Sequence, residues 1–343
     1  MSADRHPRGP EELKAAAREL GFSSVVDLLA LARKNDPYIR GGPADLRDAQ
    51  WFAGLWEQFG YSTGVHLRRV HYQVFSTRGT TSTGESYENT DLCWNRLCEA
   101  GKAARYLGLI DPEAFTDQRN DPPRIHVQPR DWAPVPQVGL ESDDGEEWSG
   151  WYVPSFSAGT YPGLRMPRVT VTGYGYDPDD QPVLAEVWIE KSTMDDVLLP
   201  VCRSLNVNLL SGAGFQSITA VISLLRRAER HGKPAHVLYI ADFDPAGDAM
   251  PAAVARQAQF WRETLSVTAG LTLDVLALTR HQVERYDLPR APVKVDKNGI
   301  ADKRGKRFEQ VNGEGIVELD ALEALHPGTL AELVRQCGAA IPR

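Results

Sequence analysis

Three carboxylates carry the clearest chemistry in this chain. Glu190 closes the apolar run Val183-Leu-Ala-Glu-Val-Trp-Ile189, and the segment Asp242-Phe-Asp244-Pro-Ala-Gly247-Asp248 follows a second apolar run, His236-Val-Leu-Tyr-Ile-Ala241. Each run reads as a buried strand, and open α/β sheets bind ligands at the carboxyl ends of their strands. Side chains two apart on a strand face the same way, so Asp242 and Asp244 are expected to point together with Glu190 beside them. Three carboxylates forced together repel one another unless a cation neutralises them. Magnesium suits such a site, since it is held by a few carboxylates with water and substrate phosphate; manganese is the natural substitute. Asp248 is expected to cap the next helix, and Ser192-Thr-Met-Asp195 reads as a variant capping box. Lys191 is either a phosphate contact or a solvated lysine.

A second constellation lies far upstream in Leu67-Arg68-Arg69-Val70-His71-Tyr72. On a helix, positions i and i+4 share a face, so Arg68 can hold a phosphate beside the Tyr72 hydroxyl or favour its phenolate. His66 and His71 are candidates for proton transfer or for packing. Candidate DNA-backbone contacts are Arg68, Arg69, Arg96, Lys102 and Arg105, with Lys303 and Arg304 in a basic stretch over 294–307 that reads as a flexible loop.

These residues need elements to hold them. Helices are expected over 11–20, 24–34 and 44–59, each ended by Gly or by Asp-Pro, then over 64–75, followed by one starting at Asn89 or Thr90. The last two helices, with cations on the exposed side of the second, suit a winged-helix or helix-turn-helix module. Pattern is lost from 119 to 168. Strict alternation follows: strand 183–190, helix 193–204, strand 206–210, helix 216–230, strand 236–241, helix 248–265 and strand 271–278. That order predicts βαβ units around a mainly parallel sheet. The expected division is a helical region over 1–61, a winged-helix-like domain over 62–132, a linker over 133–182 and an α/β domain over 183–343.

Composition narrows the class. At 343 residues the chain has room for two lobes. No run approaches the roughly 18 apolar residues of a membrane span, and the first residues lack the apolar core of a secretory signal, so a cytoplasmic protein is expected. Cys93, Cys98, Cys202 and Cys337 are scattered without ligand spacing and predict reduced thiols. A net charge of -8 means that DNA would have to meet a local basic patch.

The acid pattern resembles the TOPRIM domain of topoisomerases, primases and nucleases. That domain has a strand ending in Glu (Ile189-Glu190-Lys191) and a later strand ending in Asp-x-Asp (Ala241-Asp-Phe-Asp-Pro-Ala-Gly247), with Leu210-Ser-Gly-Ala-Gly-Phe215 at its Gly-containing second strand end. The Asp-x-Asp-Pro-x-Gly form is most similar to the topoisomerase VI A subunit and the related meiotic double-strand-break transesterase. That family places Arg four residues before a nucleophilic Tyr, as Arg-Asp-Ile-Tyr/Phe-Tyr; Arg68 and Tyr72 match, while Arg69 and His71 depart. The stretch from Tyr87 to Ile110 and the closing Val317-Glu-Leu-Asp-Ala-Leu322 are also similar. Haloacid-dehalogenase phosphatases share Asp-x-Asp, but theirs ends the first strand and continues Gly-Thr, whereas this one ends the third and continues with Pro. The resemblance implies a winged-helix-like lobe followed by a Rossmann-like TOPRIM domain. Its implied function is DNA cleavage through Tyr72 and Arg68, with Mg²⁺ or Mn²⁺ held by Glu190, Asp242 and Asp244 and Glu190 also catalytic. It also implies a homodimer. No GxxxxGK[ST] loop is present, so any ATPase would be a separate subunit. Hydrolysis by metal-activated water, with Tyr72 only packing, and a non-catalytic DNA-binding subunit remain alternatives.

Overall fold

The computed structural model describes residues 6–117, 121–127, 139–141, 168–170, 181–212, 214–293 and 303–340. It is an α/β protein with eleven α-helices and a four-stranded, all-parallel sheet among those residues. The strands are β3 (Leu184–Ile189), β4 (Asn208–Ser211), β5 (Ala235–Ile240) and β6 (Leu271–Ala277), in the spatial order β4-β3-β5-β6. Two short strands ahead of them, β1 (Gly139–Glu141) and β2 (Arg168–Thr170), pair antiparallel. The irregular excursion expected over 133–182 otherwise lies outside the described residues.

Alternation of side chains along β3 sorts the core into two layers. Ala185, Val187 and Ile189 face a cluster with Leu198 and Cys202 of α5 (Asp195–Ser204) and with Leu322 and Val334 of α10 (Leu319–Leu325) and α11 (Thr329–Ala340). Leu184 and Trp188 face Val221 and Leu225 of α6 (Ile218–His231) and Val254 and Ala258 of α7 (Pro245–Leu265). Both faces are covered, which is why the strands read as continuous apolar runs. Glu186 is the exception, a fully buried carboxylate inside β3. Arg227 of α6 binds it through two N–H groups at 2.7 and 2.8 Å, and Trp188 Nε1 and Asn208 Nδ2 donate to it at 2.9 and 3.1 Å. Asn208 Oδ1 in turn accepts from the His126 backbone N–H at 2.8 Å, while Arg124 pairs with Leu209, so residues 124–127 lie along β4.

The chain leaves β3 through α5 to reach β4 on one side, then crosses back through α6 to β5 on the other side of β3. The crossover reverses direction there, so the topological switch point falls between β3 and β5. Glu190 follows one of these strands and Asp242 the other.

The helical lobe consists of α1 (Gly9–Glu19), α2 (Pro43–Gln58), α3 (Leu67–Ser76) and α4 (Asp91–Tyr106). Phe52 and Trp56 of α2, Val70 and Val74 of α3 and Leu97 and Ala104 of α4 share one core. Residues on both sides of position 61 contribute to this core. A short antiparallel bridge, Thr80 with Ser86, connects α3 to α4. Tyr38 and Tyr106 reach out of this lobe into the α7 layer, where Tyr106 stacks on Trp261 at 5.6 Å. Each such buried ring contributes about 1.5–3 kcal/mol.

Three element expectations are corrected. Residues 24–34 form no α-helix; a 3-10 turn over Val25–Leu28 is followed by turns, because the buried Asp36 carboxylate accepts the N–H groups of Ala30 and Leu31 at 3.1 and 3.2 Å. Helix α7 starts at Pro245 instead of 248, with Pro at the first position where its missing N–H costs nothing. The basic stretch is not all loop: Lys303 and Arg304 open α9 (Lys303–Asn312), which docks through Phe308 against Phe243 at 5.0 Å between ring centroids. Residues 294–302 lie outside the described residues. No helix among the described residues is long and apolar enough to cross a membrane.

Candidate metal centre and tyrosine helix

The ends of β3 and β5 are stitched together. The Glu190 N–H donates to Ile240 O at 3.1 Å, and the Asp242 N–H points at Glu190 Oε2 at 3.4 Å. The β4 end joins them, with Gly212 N–H on Ile189 O at 2.8 Å and Gly214 N–H on Glu190 O at 3.3 Å. Gly247 is required by the turn into α7, since a Cβ there would lie 2.1 Å from Asp242 O.

Burial, followed by repulsion from Asp242, pushes the Glu190 carboxyl above the usual carboxylate range, with Asp244 adding to it. Burial likewise raises Asp242, against the opposing pull of Lys191 and of the Leu319 N–H. Asp244 caps α7: its Oδ1 accepts from the N–H groups of Ala246 and Gly247 at 2.8 and 2.6 Å. This corrects the role expected of Asp248, which is exposed in the first turn of α7 and takes no part in capping it. Asp195 closes no capping box either; α5 lacks a side-chain cap, and Asp195 instead accepts from Ser211 and, at 3.1 Å, from Arg124.

Two acids that strand-end reasoning did not supply complete the shelf. Phe243 and Val317 exchange two backbone hydrogen bonds of 2.9 Å each, which brings Glu318 and Asp320 alongside. Oxygens of Asp242, Glu318 and Asp320 come within 4.8 Å of one another. Lys191 sits among them, its Nζ 2.8 Å from Asp242 Oδ2 and 3.3 Å from Asp320 Oδ2 and also paired with Glu318. Against the burial that disfavours its charge, hydrogen bonds to Asp242 and Glu318 hold the Lys191 ammonium above the usual lysine range. The Glu318-x-Asp320 spacing inside the closing segment was the signal for this pair.

A cavity of about 260 Å³ opens beside the shelf, lined by Asp242, Asp244, Asp248, Val275, Arg280 and Phe308. Among the described residues, the acids whose oxygens come close enough to share an ion are Asp242, Glu318 and Asp320, not the expected set Glu190, Asp242 and Asp244. A positive group, the Lys191 ammonium, already stands among the acids. The fully buried Tyr239 hydroxyl has no partner among the described residues, and its pKa is raised by burial and by the Glu190 charge. Glu190, Asp242 and Asp244 are hard oxygen donors of the kind Mg²⁺ and Mn²⁺ take.

On the other lobe, Tyr72 is 48% exposed on α3, with Arg68 and Arg69 exposed on the same helix. The Arg68 guanidinium lies over the Trp94 ring, 5.5 Å from its centroid. His71 is buried, its ring nitrogens bonded to the Tyr87 hydroxyl at 2.8 Å and to Asn89 Oδ1 at 3.0 Å, and its ring meets Tyr72 edge-on at 5.2 Å. His66 caps α3 by accepting the Arg68 N–H at 3.2 Å. Both histidines thus have structural partners.

The remaining cations divide. Arg105 is turned inward and only 4% exposed, donating to Pro112 O at 2.8 Å beneath Phe115, so it is no backbone contact for DNA. Arg96 is tied to Glu85 at 3.1 Å and Lys102 to Glu99 at 2.7 Å, while Arg304 is exposed. One sequence signal for the α3 face went unread: residues 58–84 contain no Asp or Glu, in a chain of net charge -8. Compared with models of protein families and with curated proteins, this chain matches none.

Proposed function

We propose that this chain is a metal-dependent DNA-cleaving enzyme of the TOPRIM, topoisomerase VI A-like kind. In this reading Tyr72 attacks a backbone phosphodiester, and Glu190, Asp242 and Asp244 hold Mg²⁺ or Mn²⁺. The observation that carries the proposal is the position of Glu190 and Asp242 on either side of the β3/β5 switch point, with Asp244 two residues further on. A pure capping role accounts for Asp244 alone.

The phenol of Tyr72 loses its proton and its oxygen bonds to phosphorus, while the bond from phosphorus to one sugar oxygen breaks and that oxygen takes up a proton. A bound divalent cation supplies charge neutralisation for the scissile phosphate and the leaving oxygen. Arg68, one turn ahead of Tyr72, steadies the phosphate. The exposure of Tyr72 and the acid-free stretch 58–84 that contains α3 support DNA approaching this face. The resemblance further suggests a homodimer in which the tyrosine of one subunit serves the metal centre of the other, with an ATPase, where present, on a separate chain.

Hydrolysis by metal-activated water, with Tyr72 only packing, is the second reading. Incubating supercoiled DNA with Mg²⁺ and running denaturing gels separates the two. Transesterification predicts a protein-DNA adduct in wild type and none in Tyr72→Phe, with cleavage lost. Full cleavage by Tyr72→Phe without an adduct would establish hydrolysis, and no cleavage by wild type would favour a DNA-binding subunit.

A further inference from the structure

We infer that the α3 face takes unpaired bases, so that the DNA bound by this chain is single-stranded or locally melted, with Phe75 as the stacking platform beside Tyr72. This rests on the reading of α3 as the DNA-facing helix and is independent of the metal centre. A role as nucleophile accounts for the exposure of Tyr72, but not for that of Phe75, which is 42% exposed one turn further along the same helix. A phenyl ring has no group to offer a phosphate, and leaving it in water forgoes the burial that the same lobe gives Phe52. At about 3.6 residues per turn, Arg68, Tyr72 and Phe75 fall within about 60° of one another around α3.

This stripe is braced before a ligand arrives. His71, bonded at both ring nitrogens, meets the Tyr72 ring edge-on at 5.2 Å, and the Arg68 guanidinium lies over Trp94 at 5.5 Å. Side chains already held in place lower the ordering cost of binding. Charge then names the occupant. Arg68, Arg69 and Arg78 are exposed within the stretch 58–84, which contains no Asp or Glu. Rings interleaved with arginines fit a polyanion that carries flat apolar faces, which describes a nucleic-acid strand. A second copy of this chain, meeting the first through the same face, would set these arginines against one another. Only an unpaired strand offers its base faces, since those of a duplex are covered by their stacked neighbours. Tyr72 and Phe75 are separated by about 4.5 Å along the helix axis, so a base held on Phe75 leaves an adjoining phosphate beside the Tyr72 hydroxyl and Arg68.

Fluorescence anisotropy in EDTA, which prevents metal-dependent cleavage, tests this with one labelled oligonucleotide in three forms. These are the single strand, its duplex, and a single strand in which abasic sites replace the bases while every phosphate stays. Wild type is expected to bind the single strand about tenfold more tightly than either of the others, the scale of one stacked base. Phe75→Leu, which keeps apolar bulk at the position, is expected to lose that preference while holding the duplex as wild type does. Equal or tighter binding of the duplex, an abasic strand bound as well as the intact one, or an unchanged preference in Phe75→Leu overturns the inference and leaves the cleavage reading to its gel assay. The abasic comparison uses only the unsubstituted protein, so it stands whether or not the variant folds. A wild type that binds none of the three forms overturns the DNA-facing reading of α3 as well. A Phe75→Leu protein that shifts from dimer to monomer in sedimentation, with DNA affinity untouched, assigns the ring to a protein contact and equally overturns the inference.

Discussion

Asp244 serves two separable demands, one on its shape and one on its charge. As a cap, it needs an oxygen that accepts the Ala246 and Gly247 N–H groups, and asparagine provides that as well as aspartate does. As a metal ligand it needs its charge. Asp244→Asn should therefore melt within a degree or two of wild type without metal, while Asp244→Ala should lose about 1 kcal/mol from the lost cap. Calorimetry with Mn²⁺ should find affinity reduced in both, and an asparagine variant with full affinity would leave Asp244 as a cap alone. Glu190 and Asp242 were legible because an acid that directly follows an apolar run has few positions other than a strand end. Glu318 and Asp320 were not legible on that rule, since a single backbone bridge to Phe243 delivers them. The inward turn of Arg105 was equally hidden: its helix position fits either face, and Pro112 O and Phe115 decide it.

Strand and helix alternation from β3 to β6 was legible because apolar runs of strand length, buried on both faces, alternate with amphipathic segments. What failed was local competition for backbone groups, as where Asp36 draws in the N–H groups of Ala30 and Leu31 and forestalls a helix over 24–34. Glu186 was read as part of an apolar run, yet an acid at that depth demands a cation, and α6 supplies Arg227. Removing only the arginine strands a buried charge, so Arg227→Ala should cost about 3–5 kcal/mol in urea unfolding. The paired replacement Glu186→Leu with Arg227→Met should recover most of that loss. A loss under 1 kcal/mol for Arg227→Ala would contradict this. Because Asn208 links this pair to residues 124–127, the same variant should also loosen the segment along β4, read as faster amide exchange at Val127.

At the scale of the molecule, the acidic balance and the DNA reading are reconciled by segregation of charge. Asp242, Glu318 and Asp320 cluster at the carboxyl edge of the sheet, while the tyrosine helix lies in a stretch free of acids. The two lobes are joined through α7, where Asp36 meets Arg256 at 3.0 Å and Tyr38 donates to Glu263 at 2.9 Å. The same helix starts at the acid shelf, so one element connects the helical region to the shelf. That connection was not legible in the sequence, because its partners lie more than two hundred residues apart. The metal centre is the claim on which the rest turns, and anomalous diffraction from crystals soaked in Mn²⁺ addresses it without reference to activity. The account predicts one strong peak at about 2.1–2.2 Å from oxygens of Glu190, Asp242 and Asp244. Crystals that show no peak at the β3/β5 edge, or one bound by Glu318 and Asp320 with Glu190 out of reach, would contradict it.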